Sequence, residues 1–162
     1  MSVRIENMGP RKIGEYARLF AAVFSAEPWK EPWTEETAAR RIHAMMGTGT
    51  FAGKALYDGD DLKGVIWGQM EPYYNGVHFQ IQELCVATGA QHSGYGSALV
   101  QALKDDLEQA GVGQIYLITA KGPRTEGFYR KHGFAASDHM ILMNDAASRN
   151  REHNATDTSI KG

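Results

Sequence analysis

One short polar turn carries residue types that could bind a phosphate group. It follows a strand-like run, His78 to Val86, and precedes a helix-like run that starts near Ser97. Two closely spaced glycines, Gly94 and Gly96, lie within it. Where a strand, a glycine-bearing turn and a helix N-terminus meet, unpaired backbone N–H groups and the positive end of the helix dipole attract anions. We therefore predict that this turn holds the pyrophosphate of a nucleotide-like cofactor.

Taken alone, the turn is compatible with several kinds of structure. It lacks the Lys-Ser/Thr ending of a P-loop, because Ser97 and Ala98 follow Gly96. It also lacks the third glycine of a dinucleotide-binding fingerprint, since Leu99 stands where Gly or Ala is required. An ordinary strand-to-helix connection with flexible glycines is the simplest alternative. The secondary-structure elements around the turn distinguish an anion-binding turn from a simple connection.

The hydrophobic spacing predicts the element order β-α-α-β-β-β-α-β-α-β. The first helix starts at Ile13, and the second is capped by Thr34 and runs to Met46. Antiparallel hairpins come first and a central β-α-β crossover follows, which indicates an α+β (mixed α/β) fold with helices on both faces of a mostly antiparallel mixed sheet. A short apolar strand is expected in the centre of this sheet. The predicted strands are Val3 to Glu6, Phe51 to Tyr57, Leu62 to Met70, His78 to Val86, Ile115 to Thr119 and Met140 to Met143.

The composition is that of an ordinary globular domain. With 162 residues, of which 43% are hydrophobic and 22% charged, we expect a single domain over residues 1–144. Residues 145–162 are polar and are expected to form a disordered tail. The net charge of −2 gives no general attraction to nucleic acid or to an anionic membrane. We therefore expect neither as a partner.

The cysteine count and the N-terminus bear on the compartment. A single cysteine, Cys85, excludes an internal disulfide and a cysteine-rich metal site, so no metal is expected. The N-terminal residues lack the apolar segment of a signal peptide, and no apolar run is long enough to cross a bilayer. These features predict a protein of the reducing cytoplasm.

A second motif, Gly127 to Phe134, lies about thirty residues after the glycine turn. It places Tyr129 four residues before a terminal Gly-Phe pair. Together with the Gln-x-x-Gly-x-Gly pattern of residues 91–96, it resembles the GNAT superfamily of acyl-CoA-dependent N-acyltransferases. The resemblance extends from Val3 to Met143. It implies a GNAT-like fold, acetyl-CoA as the acyl donor, an amine acceptor and a possible homodimer.

The resemblance also implies which residues would hold the cofactor. Backbone groups at the end of the predicted strand His78 to Val86 would pair with the pantetheine arm, as a sheet edge pairs with an added strand. Backbone amides of the glycine turn would bind the pyrophosphate. Ser97 could add its hydroxyl, although an ordinary polar residue in a first helical turn is equally expected. The implied residues are Leu84, Cys85, Val86, Gln91, His92, Ser93, Gly94, Tyr95, Gly96 and Ser97.

Amide formation from a thioester needs two proton transfers, since the attacking amine must be neutral and the thiolate leaving group must gain a proton. By resemblance, Tyr129 is the general acid, and the alternative is a tyrosine that packs beside Phe128. Gln80 stands where many relatives carry a glutamate base, and the nearest carboxylate is Glu83. We predict that Glu83 binds the amine or relays its proton through water. A purely structural carboxylate, or His78 as the base, remains an alternative.

Two departures from the family pattern stand out. The first is Gln80, which keeps open a different class of function, a CoA-binding sensor or interaction module without turnover. The second is Gly122, which stands where relatives often carry an asparagine that contacts the cofactor arm. Arg124 close by could bind phosphate instead, or could be an ordinary surface residue.

The acceptor is expected to be a small-molecule or peptide amine. By resemblance, two loops wall its site, and aromatic walls beside a carboxylate suit an ammonium group. The same rings could simply pack against the core. The residues predicted to bind substrate are Trp29, Trp33, Tyr73, Tyr74 and Gln80.

Overall fold

The computed structural model describes residues 2–147. The chain divides into two compact units, the first ending at Ile118 and the second beginning at Thr119. The elements of the first unit are β1 (Val3–Asn7), α1 (Ile13–Ser25), α2 (Glu35–Met46), β2 (Phe51–Asp58), β3 (Asp61–Tyr73), β4 (Gly76–Val86), α3 (Tyr95–Gln109) and β5 (Val112–Leu117). The second unit contains α4 (Pro123–Lys131).

The first unit is built on a five-stranded sheet in the order β1-β2-β3-β4-β5. The first four strands are antiparallel to their neighbours, and β5 is parallel to β4. A parallel pair needs a crossover connection, which α3 supplies. The predicted mixed sheet and β-α-β crossover are therefore confirmed. The expected central position of the strand near Ile115 is wrong, because β5 lies at one edge of this sheet.

Helices cover both faces of the sheet within the first unit, as predicted. On one face, Trp67 of β3 packs against α1, with its ring centroid 5.8 Å from that of Phe20, and donates a hydrogen bond to Met45 Sδ of α2 at 3.1 Å. On the other face, Gly64 lies under Leu99 of α3. We call the first of these the α1/α2 face. Alternation along β3 assigns each of its residues to one face or the other.

Local sequence signals account for both N-terminal helices. The apolar stripe of α1 is buried at Tyr16, Phe20 and Phe24, with the spacing of one helical face. Thr34 caps α2, since its hydroxyl accepts the Thr37 N–H while the Thr37 hydroxyl accepts the Thr34 N–H. This reciprocal pair satisfies N–H groups that have no partner inside the helix. The loop between α1 and α2 is thereby fixed at its second end.

Several predicted boundaries are corrected by the structure. The turn between β3 and β4 contains only Tyr74 and Asn75, because both strands continue into residues that the sequence pattern places in a longer turn. Helix α3 begins at Tyr95 rather than near Ser97. Residues 140–143 form no strand, and their large apolar side chains are exposed. A strand requires a paired backbone, and none of the described strands pairs with this segment.

Three further expectations concern the C-terminal tail, membrane-spanning helices and metal sites. Of the predicted tail, residues 148–162 lie outside the described part of the chain. Within residues 2–147, no helix combines the length and apolar character that a membrane span requires. The same residues hold no group of three or more His, Cys, Asp or Glu side chains arranged to bind a metal ion.

A bulge between β3 and β4 depends on Gly68. The register pairs Trp67 with Glu83 and Gly68 with Ile81, so Gln82 is the additional residue on β4. A Cβ atom at Gly68 would lie 1.9 Å from the Gln80 carbonyl oxygen. Only a residue without a side chain permits this approach, and the bulge then sets which face Glu83 takes.

Replacing Gly68 by alanine should lower the free energy of unfolding by about 2 kcal/mol, because the added methyl group overpacks a rigid backbone contact. Urea denaturation would measure the change. Gly113→Ala is the matched control, since a Cβ at that strand position meets no atom within 4 Å. Equal stability of the two variants would show that the sheet absorbs the methyl group without cost.

Candidate active site

Strand β4 continues beyond the end of β5. Their parallel pairing begins at Val77 and ends where Ile81 meets Leu117. Strand β4 continues to Val86 and remains paired with β3 on its other side. The edge of β4 from residue 82 to 86 therefore has no strand partner in the described part of the chain. Leu84, Cys85 and Val86, which were predicted to pair with the pantetheine arm, lie on this stretch of β4.

The glycine turn follows this stretch of β4 after a short 3-10 helix, Thr88–Ala90. Gly94 is the N-cap of α3 and has φ 81°, a left-handed conformation that favours glycine. A Cβ at Gly94 would meet nothing within 4 Å. No side chain caps the helix, and its first turn holds no acidic residue. The N-terminus of α3 is thus presented to an approaching anion without a competing carboxylate.

Two side chains tie this turn to the sheet. The Gln91 side-chain amide donates to the Val86 carbonyl oxygen at 3.4 Å. The Tyr95 hydroxyl donates to Asp58 Oδ2 at 2.9 Å, and this hydrogen bond raises the pKa of Tyr95. The Tyr95 hydroxyl is therefore already engaged in a hydrogen bond to the sheet. Of the predicted cofactor residues, Gln91, His92 and Ser93 are exposed, while Gly96 and Ser97 lie in the first turn of α3.

The bulge at Gln82 turns Glu83 toward the α1/α2 face, where it lies beside Trp67. The Glu83 side chain is only 3% exposed, and its Oε1 accepts a hydrogen bond from Arg41 Nη2 of α2 at 2.9 Å. An arginine stays charged at any physiological pH, so it favours the ionised carboxylate. Arg41 Nε and Gln82 Oε1 are buried and have no hydrogen-bond partner among the described residues. Arg41 therefore keeps an unused donor on the guanidinium group that contacts Glu83.

A row of polar side chains continues past Trp67 on the α1/α2 face. Gln69 donates to the Met45 carbonyl oxygen at 3.1 Å, which places this row at the end of α2. We call it the polar row, and its members come from three strands. The register places them on one face, since Glu71 pairs with His78, Gln69 with Gln80, and Gln80 with Tyr116. The members are Gln69, Glu71 and Tyr73 of β3, His78 and Gln80 of β4, and Tyr116 of β5.

The predicted aromatic walls separate into two groups. Trp33 packs edge-on against Phe20 with ring centroids 4.9 Å apart, and Trp29 packs against Phe24 at 5.5 Å. Both tryptophans thus support the core of the first unit. Tyr73 instead stacks on His78 with ring centroids 3.9 Å apart, at the far end of the polar row. Tyr74 lies in the β3–β4 turn and is 95% exposed.

The second motif lies on α4, in the second unit. Gly133 has φ 89° and ends the helix, so the chain turns back and the Phe134 N–H donates to the Tyr129 carbonyl oxygen at 3.0 Å. The Tyr129 ring then packs edge-on between Phe128 at 5.1 Å and Phe134 at 5.8 Å. The glycine and the phenylalanine of the motif therefore fix the orientation of the tyrosine.

A family model, described as the acetyltransferase (GNAT) family, matches residues 16–134, a span that contains both motifs and most of the described fold. The chain belongs to the acetyltransferase (GNAT) family. None of the curated protein sequences matches it. Because the match covers both units, each unit carries one of the two motifs of a GNAT acetyltransferase.

Solved structures agree with this GNAT fold. A possible acetyltransferase from Clostridium difficile 630 is similar with a TM-score of 0.77 at 12% identity, over 90% of this chain and 99% of that one. A ribosomal-protein-alanine N-acetyltransferase from Brucella melitensis biovar Abortus 2308 gives 0.69 at 17% identity, over 89% and 99%. An aminoglycoside acetyltransferase from an uncultured soil metagenomic sample, solved in complex with sisomicin, gives 0.70 at 18% identity, over 89% and 95%. At these identities the likeness concerns the fold alone.

Local sequence patterns of this GNAT chain do not reveal three residues of the α1/α2 face. Arg41 precedes the buried Ile42 and follows Ala38 by three positions, so helical spacing alone places it at the border of the buried stripe. Glu71 and Tyr116 meet only through the register of three strands, which no local pattern reveals. The structure therefore adds one cation and one carboxylate–phenol pair to the candidate site.

A cavity of about 340 Å³ lies elsewhere in the first unit, lined by residues of β1, β2, β3 and α3. Lys54 and Asp106, which form an ion pair, are among its lining residues. None of the predicted site residues lines it. Its shape therefore tells nothing about acetyl transfer.

Proposed function

We propose that this GNAT-family chain transfers an acetyl group from acetyl-CoA to a primary amine of a small molecule or peptide, by direct attack in a ternary complex. The observation that carries the proposal is the stretch of β4 that continues beyond the end of β5 and is followed by a helix N-terminus without a side-chain cap. An extended polar chain that ends in a pyrophosphate fits that pair of features, since one part pairs with a strand edge and the other binds amide groups.

The residues present fit this cofactor. The backbone of Leu84, Cys85 and Val86 would pair with the amide groups of the pantetheine arm. The turn from Gln91 to Ser97 would hold the pyrophosphate, because Gly94 leaves open space where a side chain would stand. Acetyl-CoA, when bound, supplies an activated acyl carbon and a thiolate leaving group.

Glu83 supports the acceptor side of the proposal. Its carboxylate is buried, and Arg41 occupies one of its oxygens. A buried carboxylate can orient an amine or an ordered water that removes the amine proton. The amine nitrogen would attack the acyl carbon, and the carbon–sulfur bond would break with the thiolate as leaving group. Tyr129 would give its hydroxyl proton to the departing sulfur, which balances the proton lost by the amine.

The cofactor half of this proposal can be tested through Ser97, in the first turn of α3. Ser97→Asp should weaken binding of coenzyme A about tenfold, because a negative charge would face the pyrophosphate. The same charge interacts favourably with the helix dipole, so the melting temperature should stay equal or rise slightly. Isothermal titration calorimetry and a thermal melt separate the two effects.

Ser97→Asn is the matched control, since it has nearly the same size as aspartate and no charge. It should bind coenzyme A within about threefold of the original chain, a difference well under 1.4 kcal/mol. An unchanged affinity for coenzyme A in the aspartate variant would count against the glycine turn as the pyrophosphate-binding site.

A second candidate function is an acyl-CoA-binding sensor without turnover. Two observations favour it: Gln80 stands at the position of the family glutamate, and Glu83 is already paired with Arg41. An acetyl-acceptor screen with a panel of primary amines, read by liquid chromatography, distinguishes the two. A new acetylated product supports the enzyme, whereas saturable acetyl-CoA binding without any product supports the sensor.

A further inference from the structure

A carboxylate–phenol pair lies in the polar row, where Glu71 follows Gln69 by two residues on β3. The Tyr116 hydroxyl donates to both carboxylate oxygens of Glu71, at 2.8 Å and 2.9 Å. Burial, together with this contact to Glu71, raises the pKa of Tyr116 to about 12. Tyr116 therefore stays protonated, and its donated hydrogen bond holds the carboxylate in one orientation.

Glu71 carries a charge that no cation balances within residues 2–147. The ion pairs of this part of the chain leave Glu71 out, and its hydrogen bonds there come from Tyr116 alone. A carboxylate can accept about four hydrogen bonds, so most of its capacity stays available. An oriented, partly buried anion without a counterion favours a cationic ligand.

The surroundings of this anion suit an organic cation better than a hydrated metal ion. The stacked rings of Tyr73 and His78 lie on the same face, because Glu71 and His78 are register partners. The face of an aromatic ring such as that of Tyr73 attracts ammonium groups. The described residues also contain no cluster of potential metal ligands at this point.

The pair lies on the same face as Glu83 at a definite spacing. Trp67 is opposite Glu83, and Glu71 follows Trp67 by four residues on β3. At about 3.4 Å per residue, the two carboxylates are separated by roughly 14 Å along the strand. We propose that Glu71 and Tyr116 form a second cation site, so that the preferred acceptor is an amine with a second positive charge on the order of 10 Å from its reacting nitrogen. This inference rests on the proposed acetyl transfer, whose amine would be held at Glu83.

Calorimetric titration of the full chain, with coenzyme A present so that no acetyl transfer occurs, tests the second site directly. The ligands are 1,8-diaminooctane, n-octylamine and 1,3-diaminopropane. We expect 1,8-diaminooctane to bind about tenfold more tightly than n-octylamine, well beyond the roughly twofold statistical advantage of a symmetric diamine. The short diamine should show no such advantage, because it cannot reach both carboxylates.

Glu71→Gln keeps an acceptor for the Tyr116 hydroxyl and removes only the charge. It should reduce the preference for 1,8-diaminooctane over n-octylamine to about the statistical factor. Glu108→Gln, an exposed position on α3, is the charge-matched control and should keep the full preference. A preference that is absent in the original chain, or that survives Glu71→Gln, overturns the second site.

Acetylation of n-octylamine, measured separately, reports on the proposed function alone. If the diamine preference depends on Glu71 but no amine is acetylated, the second site stands and the acetyl transfer fails. If n-octylamine is acetylated and the diamine is bound no better than n-octylamine, the acetyl transfer stands and the second site fails.

Discussion

Replacing Tyr129 with phenylalanine should lower kcat by about 100- to 1,000-fold, the range expected for loss of a general acid. The Kd for acetyl-CoA should change little, because the lost proton transfer belongs to the transition state rather than to binding. The phenyl ring keeps its edge-on contacts with Phe128 and Phe134, so the melting temperature should also be preserved. Steady-state kinetics, calorimetry and a thermal melt measure the three quantities.

The activity of Tyr129→Phe separates the two roles weighed for this residue, a general acid and a packing tyrosine. A kcat within threefold of the original value would show instead that Tyr129 is a packing residue, and the proton would then reach the sulfur from water.

The parts of the fold that follow from local chemistry could be predicted from the sequence. The spacing of Tyr16, Phe20 and Phe24 places one apolar stripe on α1, and Thr34 has the side chain that caps α2. The glycine turn before α3 is also a local signal, because Gly94 adopts a left-handed conformation that other residues avoid. Each of these depends on neighbours within one or two turns of chain.

The face of Glu83 could not be predicted in this way. It depends on the bulge at Gln82, and that bulge depends on Gly68, which lies on another strand. The partner of Glu83 is equally remote, since Arg41 precedes it by 42 residues. A pattern along one strand holds no information about either contact.

Two strand predictions are wrong for a related reason. Residues 140–143 have the apolar character of a strand, but a strand forms only when its backbone finds a partner. The apolar residues near Ile115 favour a central strand, yet pairing places β5 at one edge. Apolar composition therefore indicates that a segment tends to be buried, but it does not identify the strands that pair with it.

Of the substitutions proposed for this chain, removal of the Arg41 side chain beside Glu83 should lower the free energy of unfolding the most. Breaking a buried ion pair by deleting one partner costs about 3–5 kcal/mol, because the remaining charge stays out of water. Arg41 is 32% exposed but Glu83 only 3%, so solvent moderates the effect on one side alone. We expect Arg41→Ala to lower the free energy of unfolding by about 3 kcal/mol at neutral pH.

A double-mutant cycle tests the cause of that loss. Glu83→Gln should cost about 1 kcal/mol, because Arg41 can still turn its charge toward solvent. The double variant Arg41→Ala with Glu83→Gln should be more stable than Arg41→Ala alone, since it removes the buried charge together with its arginine. The deficit of Arg41→Ala should also shrink at acidic pH, where the buried carboxylate takes up a proton. If the two single losses simply add and do not depend on pH, the arginine contributes by packing, and the charge of Glu83 is compensated elsewhere in the fold.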